Sequence, residues 1–380
     1  MKLPHKQKPY PKELSMNDYS TIQRIIQEVI SEKEVREITE MCGYKDTGRK
    51  LTVYHFFQYL LGAAIMEVSS YRELCCLKNL LGLPEINYST FSKKAAEIPF
   101  EIYAEVCRRV LSRLNRQKRR ALNPQFQRIL SVVDSTRIIE KDNRFQWAMY
   151  REDQSGVKFH VSFQPDTGMP TMVIPTEINT GDSTMLEKHY DREVCLLADR
   201  GYLNVAKMCL MDETGQEFAI RIRNDMKLNK CVPFPNLFPE ESKEYTDVLC
   251  CIGNDHSIPA HCRKHQFRVV SFQDTKGEEV RICTNIQDLS GREIAALYKL
   301  RWKIETFFRE LKQNFTIKKM FGSSKNAVFS QGLIAFIAYA FLYDCYTSKK
   351  VIFSEKTCRY YTFLHFLRSL RYFCPGVRLF

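Results

Sequence analysis

The chain has no long hydrophobic run. The longest stretch, from Gly332 to Tyr343, is too short for a membrane-spanning helix. The first residues, MKLPHKQKPYPKE, lack the apolar core of a signal peptide. These two features point away from the membrane and towards the cytoplasm. Regular CxxC spacing is also missing, although the 380 residues include 14 cysteines. Scattered cysteines in a chain of this size read as reduced thiols, not as a disulfide framework. The densest group is Cys250, Cys251, His256, His261, Cys262 and His265. Its order matches no standard zinc finger or ribbon, and it reads better as strand and loop residues without metal. Acidic residues are outnumbered, with 44 Asp and Glu against 57 Lys and Arg, giving a net charge of +13. That balance favours a polyanionic partner, most simply nucleic acid. No internal repeat or low-complexity segment stands out. The length suffices for two or three domains and a sizeable core.

The chain opens as a basic arm over residues 1–16, rich in Lys and Pro. From Tyr19 to Met41, apolar residues recur at helical spacing, and Gly43 ends the segment. Further helices are expected over Thr52 to Met66, Tyr71 to Leu81, Ser89 to Glu97 and Phe100 to Arg116. The Ser89–Glu97 helix carries Lys93 and Lys94, and suits equally a helix-turn-helix DNA reader and a plain helical bundle. The run RQKRR, Arg116 to Arg120, is a phosphate-binding candidate or a solvated linker. A domain boundary is placed near Asn123-Pro124.

The pattern then changes. Arg128 to Ser135 (RILSVVDS) reads as a buried strand ending at Asp134. GVKFHVSFQ (156–164) and PTMVIPTEI (170–178) follow as strands. A helical crossover near Thr184 to Tyr190 leads to VCLLADRG (194–201), an apolar strand ending at Asp199. A helix over Leu203 to Met211 and a strand over FAIRIR (218–223) complete the series. Carboxylates at the ends of apolar strands sit where an α/β sheet tends to place its site. Residues 224–289 begin as a proline-marked irregular loop. They continue with strands over Thr246–Ile252, Phe267–Phe272 and Val280–Asn285, the last two joined by an Asp274-Thr275-Lys276-Gly277 hairpin turn.

The stretch from Ser290 to Gly322 carries the chemistry. Ser290 and Glu293 form a capping-box start, and Gly322 is placed as the stop of one long helix. At about 100° per residue, Leu300, Ile304, Phe307, Phe308, Leu311 and Phe315 form an apolar stripe. Tyr298, Arg301, Glu305 and Lys312 fall beside it, within roughly 60° of one another. Glu and Arg four apart are also what a solvated surface ion pair looks like, so the helix alone does not decide. Behind it, Ala327 to Lys349 is an apolar helix, and the tail to Phe380 is aromatic and basic. For Trp302 a core or helix-packing role is favoured over base stacking.

Tyr-x2-Arg-x3-Glu-x6-Lys resembles the YREK signature of DDE transposases of the insertion-sequence-four family. Asp134-Ser135-Thr136, Ala198-Asp199-Arg200-Gly201-Tyr202, Cys283-Thr284-Asn285-Ile286 and Arg301-Trp302-Lys303-Ile304-Glu305 resemble that family's other motifs, in its order, across roughly residues 125–345. The resemblance implies an α/β fold, a ribonuclease-H-like mixed sheet flanked by helices, with a β-rich insertion and an all-α N-terminal domain. The expected domains are a helical DNA-binding domain (1–122), a catalytic domain (123–223 and 290–349), the β-rich insertion (224–289) and a C-terminal helical tail (350–380).

The resemblance also implies roles. Asp134, Asp199 and Glu305 would bind two Mg²⁺ or Mn²⁺ ions, and Tyr298, Arg301 and Lys312 would hold DNA phosphates. Phosphodiester hydrolysis needs an activated nucleophile and neutralised phosphate charge, which two ions about 3.5–4 Å apart can supply. Hard cations require oxygen ligands. The expected activity is cut-and-paste transposition of double-stranded DNA. The ends, terminal inverted repeats, would be cut through hairpin intermediates and joined to target DNA by a homodimer at the nucleoid, with no membrane partner. Some family members hold a flipped base on an insertion-domain tryptophan; residues 224–289 contain none, and Phe234, Phe238 or Tyr245 would have to substitute. A catalytically inactive, transposase-derived DNA-binding protein and a metal-dependent nuclease remain the competing readings.

Overall fold

Runs of β-branched and aromatic residues build one large mixed sheet. The structure is a computed structural model describing residues 26–116, 122–141, 144–152, 154–235, 245–253 and 258–347. The basic arm, most of the RQKRR run, Phe238, His256 and the C-terminal tail lie outside the described residues. Six helices come first: α1 (Glu32–Met41), α2 (Val53–Met66), α3 (Tyr71–Cys75), α4 (Lys78–Leu81), α5 (Tyr88–Glu97) and α6 (Phe100–Asn115). Next are β1 (Leu130–Lys141), β2 (Met149–Arg151), β3 (Gln154–Gln164), β4 (Met169–Glu177), the short α7 (Asp182–Met185), β5 (Cys195–Ala198), α8 (Val205–Glu213) and β6 (Phe218–Ile222). Then come β7 (Leu228–Pro233), β8 (Thr246–Ile252), β9 (Phe267–Gln273), β10 (Glu279–Thr284), α9 (Gly291–Lys299), α10 (Trp302–Asn314) and α11 (Lys325–Thr347).

Strands β4, β3 and β1 pair antiparallel, whereas β1, β5 and β6 run parallel. The order β4-β3-β1-β5-β6 is that of the ribonuclease-H-like fold. Parallel neighbours need crossovers, which α7 with a 3₁₀ turn (Leu186–His189) and then α8 supply. The strands of residues 224–289 continue this sheet: β10 pairs with β6, followed by β9, β8 and β7. The insertion therefore extends the sheet edge. Where prolines suggest an irregular loop, Leu228–Pro233 forms the outermost strand. Pro233 ends it at an edge, where the missing N–H breaks no ladder, and a bulge lies between Asn229 and Val232. In the β9–β10 turn, Asp274 accepts from the Lys276 and Glu278 amides at 2.8 and 2.9 Å, and Gly277 takes φ +79°.

Helix α11 is long and apolar enough to cross a membrane by length and composition, but 94% of its most apolar window is buried inside the fold. It lies against β3 at Gly332, where an added Cβ would stand 2.1 Å from the Phe159 ring. Phe336 packs 5.5 Å from Phe159, and Phe307 of α10 packs 4.7 Å from Tyr339. On another side of α11, Phe329 meets Phe100 at 4.9 Å, and Asn326 accepts from the Phe100 amide at 3.3 Å. One apolar cluster thus runs from Ile38, Phe56 and Tyr103 through Phe329 and Phe336 to Val132 and Phe159. The N-terminal helices share a core with the sheet across the boundary at Asn123-Pro124. Lys94 of α5 is buried in this bundle. It pairs with Asp46 at 2.8 Å and donates to the Tyr44 hydroxyl at 3.2 Å, so this lysine serves the bundle and not a DNA-reading face.

Candidate active site

Two aspartates meet because two parallel strands end together. Val133 of β1 pairs with Ala198 of β5, and Asp134 and Asp199 are the next residue on each chain. Val132 and Leu197, two residues earlier on each strand, both belong to the core cluster that includes α10 and α11. Side chains alternate along a strand, so both aspartates project to that same face.

The third carboxylate comes from the helical stretch beyond the sheet. Ser290 caps α9 with the expected reciprocal pair: its Oγ accepts from the Glu293 amide at 3.2 Å, and Glu293 Oε2 accepts from the Ser290 amide at 2.8 Å. The stretch to Gly322 is not one helix. Around Leu300 and Arg301 the backbone tightens to i→i+3 hydrogen bonds, Arg301 N to Tyr298 O and Ile304 N to Arg301 O. Helix α10 then ends at Asn314, with Phe315 extended, well before Gly322.

At this break Arg301 is buried, and its guanidinium joins the acids. Nη1 reaches Asp134 Oδ2 at 3.4 Å, and Nη2 donates to Glu305 Oε1 at 2.8 Å. The Tyr298 hydroxyl lies 3.5 Å from Asp199 Oδ1. The guanidinium carbon is 5.8 Å from the Tyr298 ring centre and 5.1 Å from that of Trp302. The structure thus gathers Asp134, Asp199, Tyr298, Arg301 and Glu305. Lys312, about two turns farther along α10, donates to the Arg137 carbonyl at 2.9 Å, farther along β1.

Electrostatics mark the cluster as costly when no substrate is present. Burial pushes the Asp134 carboxyl up to about 6, against the Ser135 amide and Arg301; Asp199 and Glu305 add to the rise. Burial works against a charged Arg301, but Tyr298, Glu305, Asp199 and Asp134 outweigh it and hold the guanidinium above its usual range. Burial lowers Lys312, and Lys318 adds to this.

Among the described residues, no three Asp, Glu, His or Cys side chains form a closed metal-binding group. The donor chemistry does fit a hard divalent cation. All three acids are oxygen donors, and one is buried with its charged form penalised, a penalty a cation would relieve. Arg301 supplies part of that positive charge here.

A family described as "Transposase DDE domain" matches residues 125–341. The chain belongs to the DDE transposase family. It is 34% identical over 336 residues, 88% of this chain and 87% of the other, to a transposase for insertion sequence element IS5377 of Geobacillus stearothermophilus. It is 28% identical to transposase y4zB of Sinorhizobium fredii, over 65% of this chain and 68% of the other. Among solved structures, a piggyBac transposase synaptic complex with hairpin DNA matches with a TM-score of 0.48 and 11% identity, covering 94% of this chain and 83% of that one. By the family match and the 34% identical relative, this protein is a DNA transposase.

Two residues of this transposase stand out only in three dimensions. Arg221 follows Ile220 on β6, whose partner on β5 is Ala198, so Arg221 extends the row Asp134, Asp199 across a third strand. Its charge acts on Tyr298, and its buried Nε finds no hydrogen-bond partner among the described residues. The alternation of FAIRIR was the available signal. Trp302, read from sequence as core or helix packing in preference to base stacking, is 57% exposed beside Arg301. Its ring is turned outward because, at about 100° per residue, it lies on the face of α10 opposite the buried Ile304, Phe307, Phe308 and Leu311.

Proposed function

We propose that the chain is a cut-and-paste transposase that binds the terminal inverted repeats of its element, cleaves the DNA ends and joins them to target DNA. The observation that carries this reading is that Asp134 and Asp199 end neighbouring strands, with Arg301 linking Asp134 to Glu305 and the Tyr298 hydroxyl reaching Asp199. Asp134, Asp199 and Glu305 would hold two Mg²⁺ or Mn²⁺ ions. When bound, such ions activate an oxygen nucleophile and neutralise charge developing on phosphate. Arg301 would exchange its carboxylate contacts for a phosphate, which its planar fork suits. Tyr298 would donate a hydrogen bond, and Lys312 would place a point charge farther along the backbone. The exposed face of Trp302 offers a surface on which an unpaired base could stack beside the reacting phosphate, in support of a hairpin route. Pairing of two ends calls for a homodimer.

The test is cleavage of a plasmid carrying the DNA that flanks the gene. Excision at defined ends is expected with Mg²⁺ or Mn²⁺, and none with EDTA or in Glu305→Gln. End-specific binding without cutting would favour a DNA-binding relic. Cutting that survives Glu305→Gln would place the active site elsewhere.

A further inference from the structure

The motifs around the two aspartates contain residues that the site itself does not use: Ser135 after Asp134, and Gly201-Tyr202 after Asp199. Strand alternation turns Ser135 to the opposite face of the sheet from Asp134. There it meets a buried polar network. Asp182, at the start of α7, accepts from Ser135 Oγ at 2.9 Å and from Lys158 Nζ at 3.1 Å through the same oxygen. His160 Nδ1 lies 3.5 Å from that oxygen and 3.3 Å from the Tyr202 hydroxyl. The other Asp182 oxygen sits 3.2 Å from where a Cβ would stand on Gly201, so a side chain there would crowd it. Lys158, His160 and Tyr202 are 3%, 0% and 1% exposed, so water does not substitute for these contacts.

We propose that Asp182 is a positioning residue for the carboxylate site. Through Ser135 it holds the end of β1, and by packing against Gly201 and through His160, which also reaches the Tyr202 hydroxyl, it holds the turn after β5, fixing the separation of Asp134 and Asp199. The proposal rests on the metal-site reading given above. Three features favour a device of this kind over plain packing. The contacts converge on one carboxylate, and both aspartate-bearing segments reach it, β1 directly through Ser135 and the turn after β5 by the close approach of Gly201 and by Tyr202 through His160. Lys158, which balances the charge, also donates to the Thr180 carbonyl at 2.7 Å and so fixes the segment that carries Asp182. The same geometry explains why a serine follows one acid and Gly-Tyr the other. A hydroxyl is needed to reach Asp182, the missing side chain of Gly201 makes room for it, and the phenol completes the ring of contacts.

Calorimetry of Mn²⁺ binding to the full chain tests this, comparing wild type with Ser135→Ala, Ser135→Thr, Asp182→Asn and Asp134→Asn. Ser135→Ala and Asp182→Asn are expected to weaken Mn²⁺ binding by about tenfold, the lower end of what supporting residues around a metal contribute. Ser135→Thr, which restores the hydroxyl, is expected to recover it. The thermal midpoint of Ser135→Ala and its metal-free DNA binding should match wild type. Unchanged Mn²⁺ affinity in Ser135→Ala overturns the proposal, as does a loss that merely tracks a loss of fold. Should Asp182→Asn fail to fold, because it strands a buried lysine, the two Ser135 variants decide. If wild type and Asp134→Asn bind Mn²⁺ alike, the metal-site reading fails first and takes this inference with it, a result distinguishable from Ser135 variants that match a wild type whose affinity depends on Asp134.

Discussion

Arg301 and Arg221 show how much of the site a sequence can carry. Arg301 was legible because its spacing to Tyr298 and Glu305 is a local, one-dimensional fact. That it spans Asp134 and Glu305 with two nitrogens, at 3.4 and 2.8 Å, depends on a strand 167 residues away in sequence. Arg221 was not legible, because a lone arginine in an alternating strand is ordinary; only the β5–β6 register puts it beside Asp199. Its buried Nε without a partner among the described residues is the kind of donor that a phosphate oxygen satisfies. Arg221→Ala is expected to reduce end cleavage by about tenfold, as the loss of one charge-assisted contact of about 1.4 kcal/mol would do. It should also lower the slope of log binding constant against log salt by about one. Cleavage kinetics and DNA binding at several salt concentrations check both. An unchanged salt slope would mean that Arg221 serves Tyr298 and not DNA.

At the scale of elements, the strands were readable and the junctions were not. Apolar, β-branched runs placed β8, β9 and β10 to within a residue or so. The helical wheel failed at Leu300, since it assumes unbroken periodicity and the chain there tightens to i→i+3 bonds. Gly332 is the complementary case, a helix-interior glycine whose reason is tertiary. Replacing it by alanine gains about 1 kcal/mol of helix propensity. Against this, the new methyl group would lie 2.1 Å from the Phe159 ring, in a core with no room for the ring to retreat. Overpacking of this kind costs about 1–3 kcal/mol, so the clash prevails. Gly332→Ala is expected to be net destabilising by about 1 kcal/mol or more in urea unfolding. A variant as stable as wild type would show that α11 can slide on β3.

For the whole molecule, the sequence revealed an α/β catalytic sheet, because acids at the ends of apolar strands and a signature helix follow one another in order. It did not reveal how the pieces are fused. The helical segment and the sheet share one core through α11, and the insertion is a continuation of the sheet; both facts depend on pairings between distant segments. Nor did it reveal the polar residues buried behind the sheet, which set a pH limit on the whole fold. His189 is 2% exposed, with Ser162 Oγ at 2.7 Å from its Nδ1, and burial lowers its pKa from 6.5 to about 3, with His160 adding to the fall. His160 is lowered as well, by its own burial first and by Lys158, with Asp182 opposing. A histidine whose folded pKa is depressed stays neutral in the native state while the unfolded chain takes up a proton. Its contribution is complete above pH 6.5 and is lost as pH falls from there towards the folded value. Each such histidine gives a slope of up to ~1.4 kcal/mol per pH unit in that window. Stability in urea is therefore expected to fall steadily between pH 6.5 and 5, before most carboxylates titrate. His189→Gln should flatten that slope by up to one proton's worth, whatever it does to stability at pH 7. An equal slope in wild type and His189→Gln would show that this histidine is protonated, or reached by water, in the folded protein.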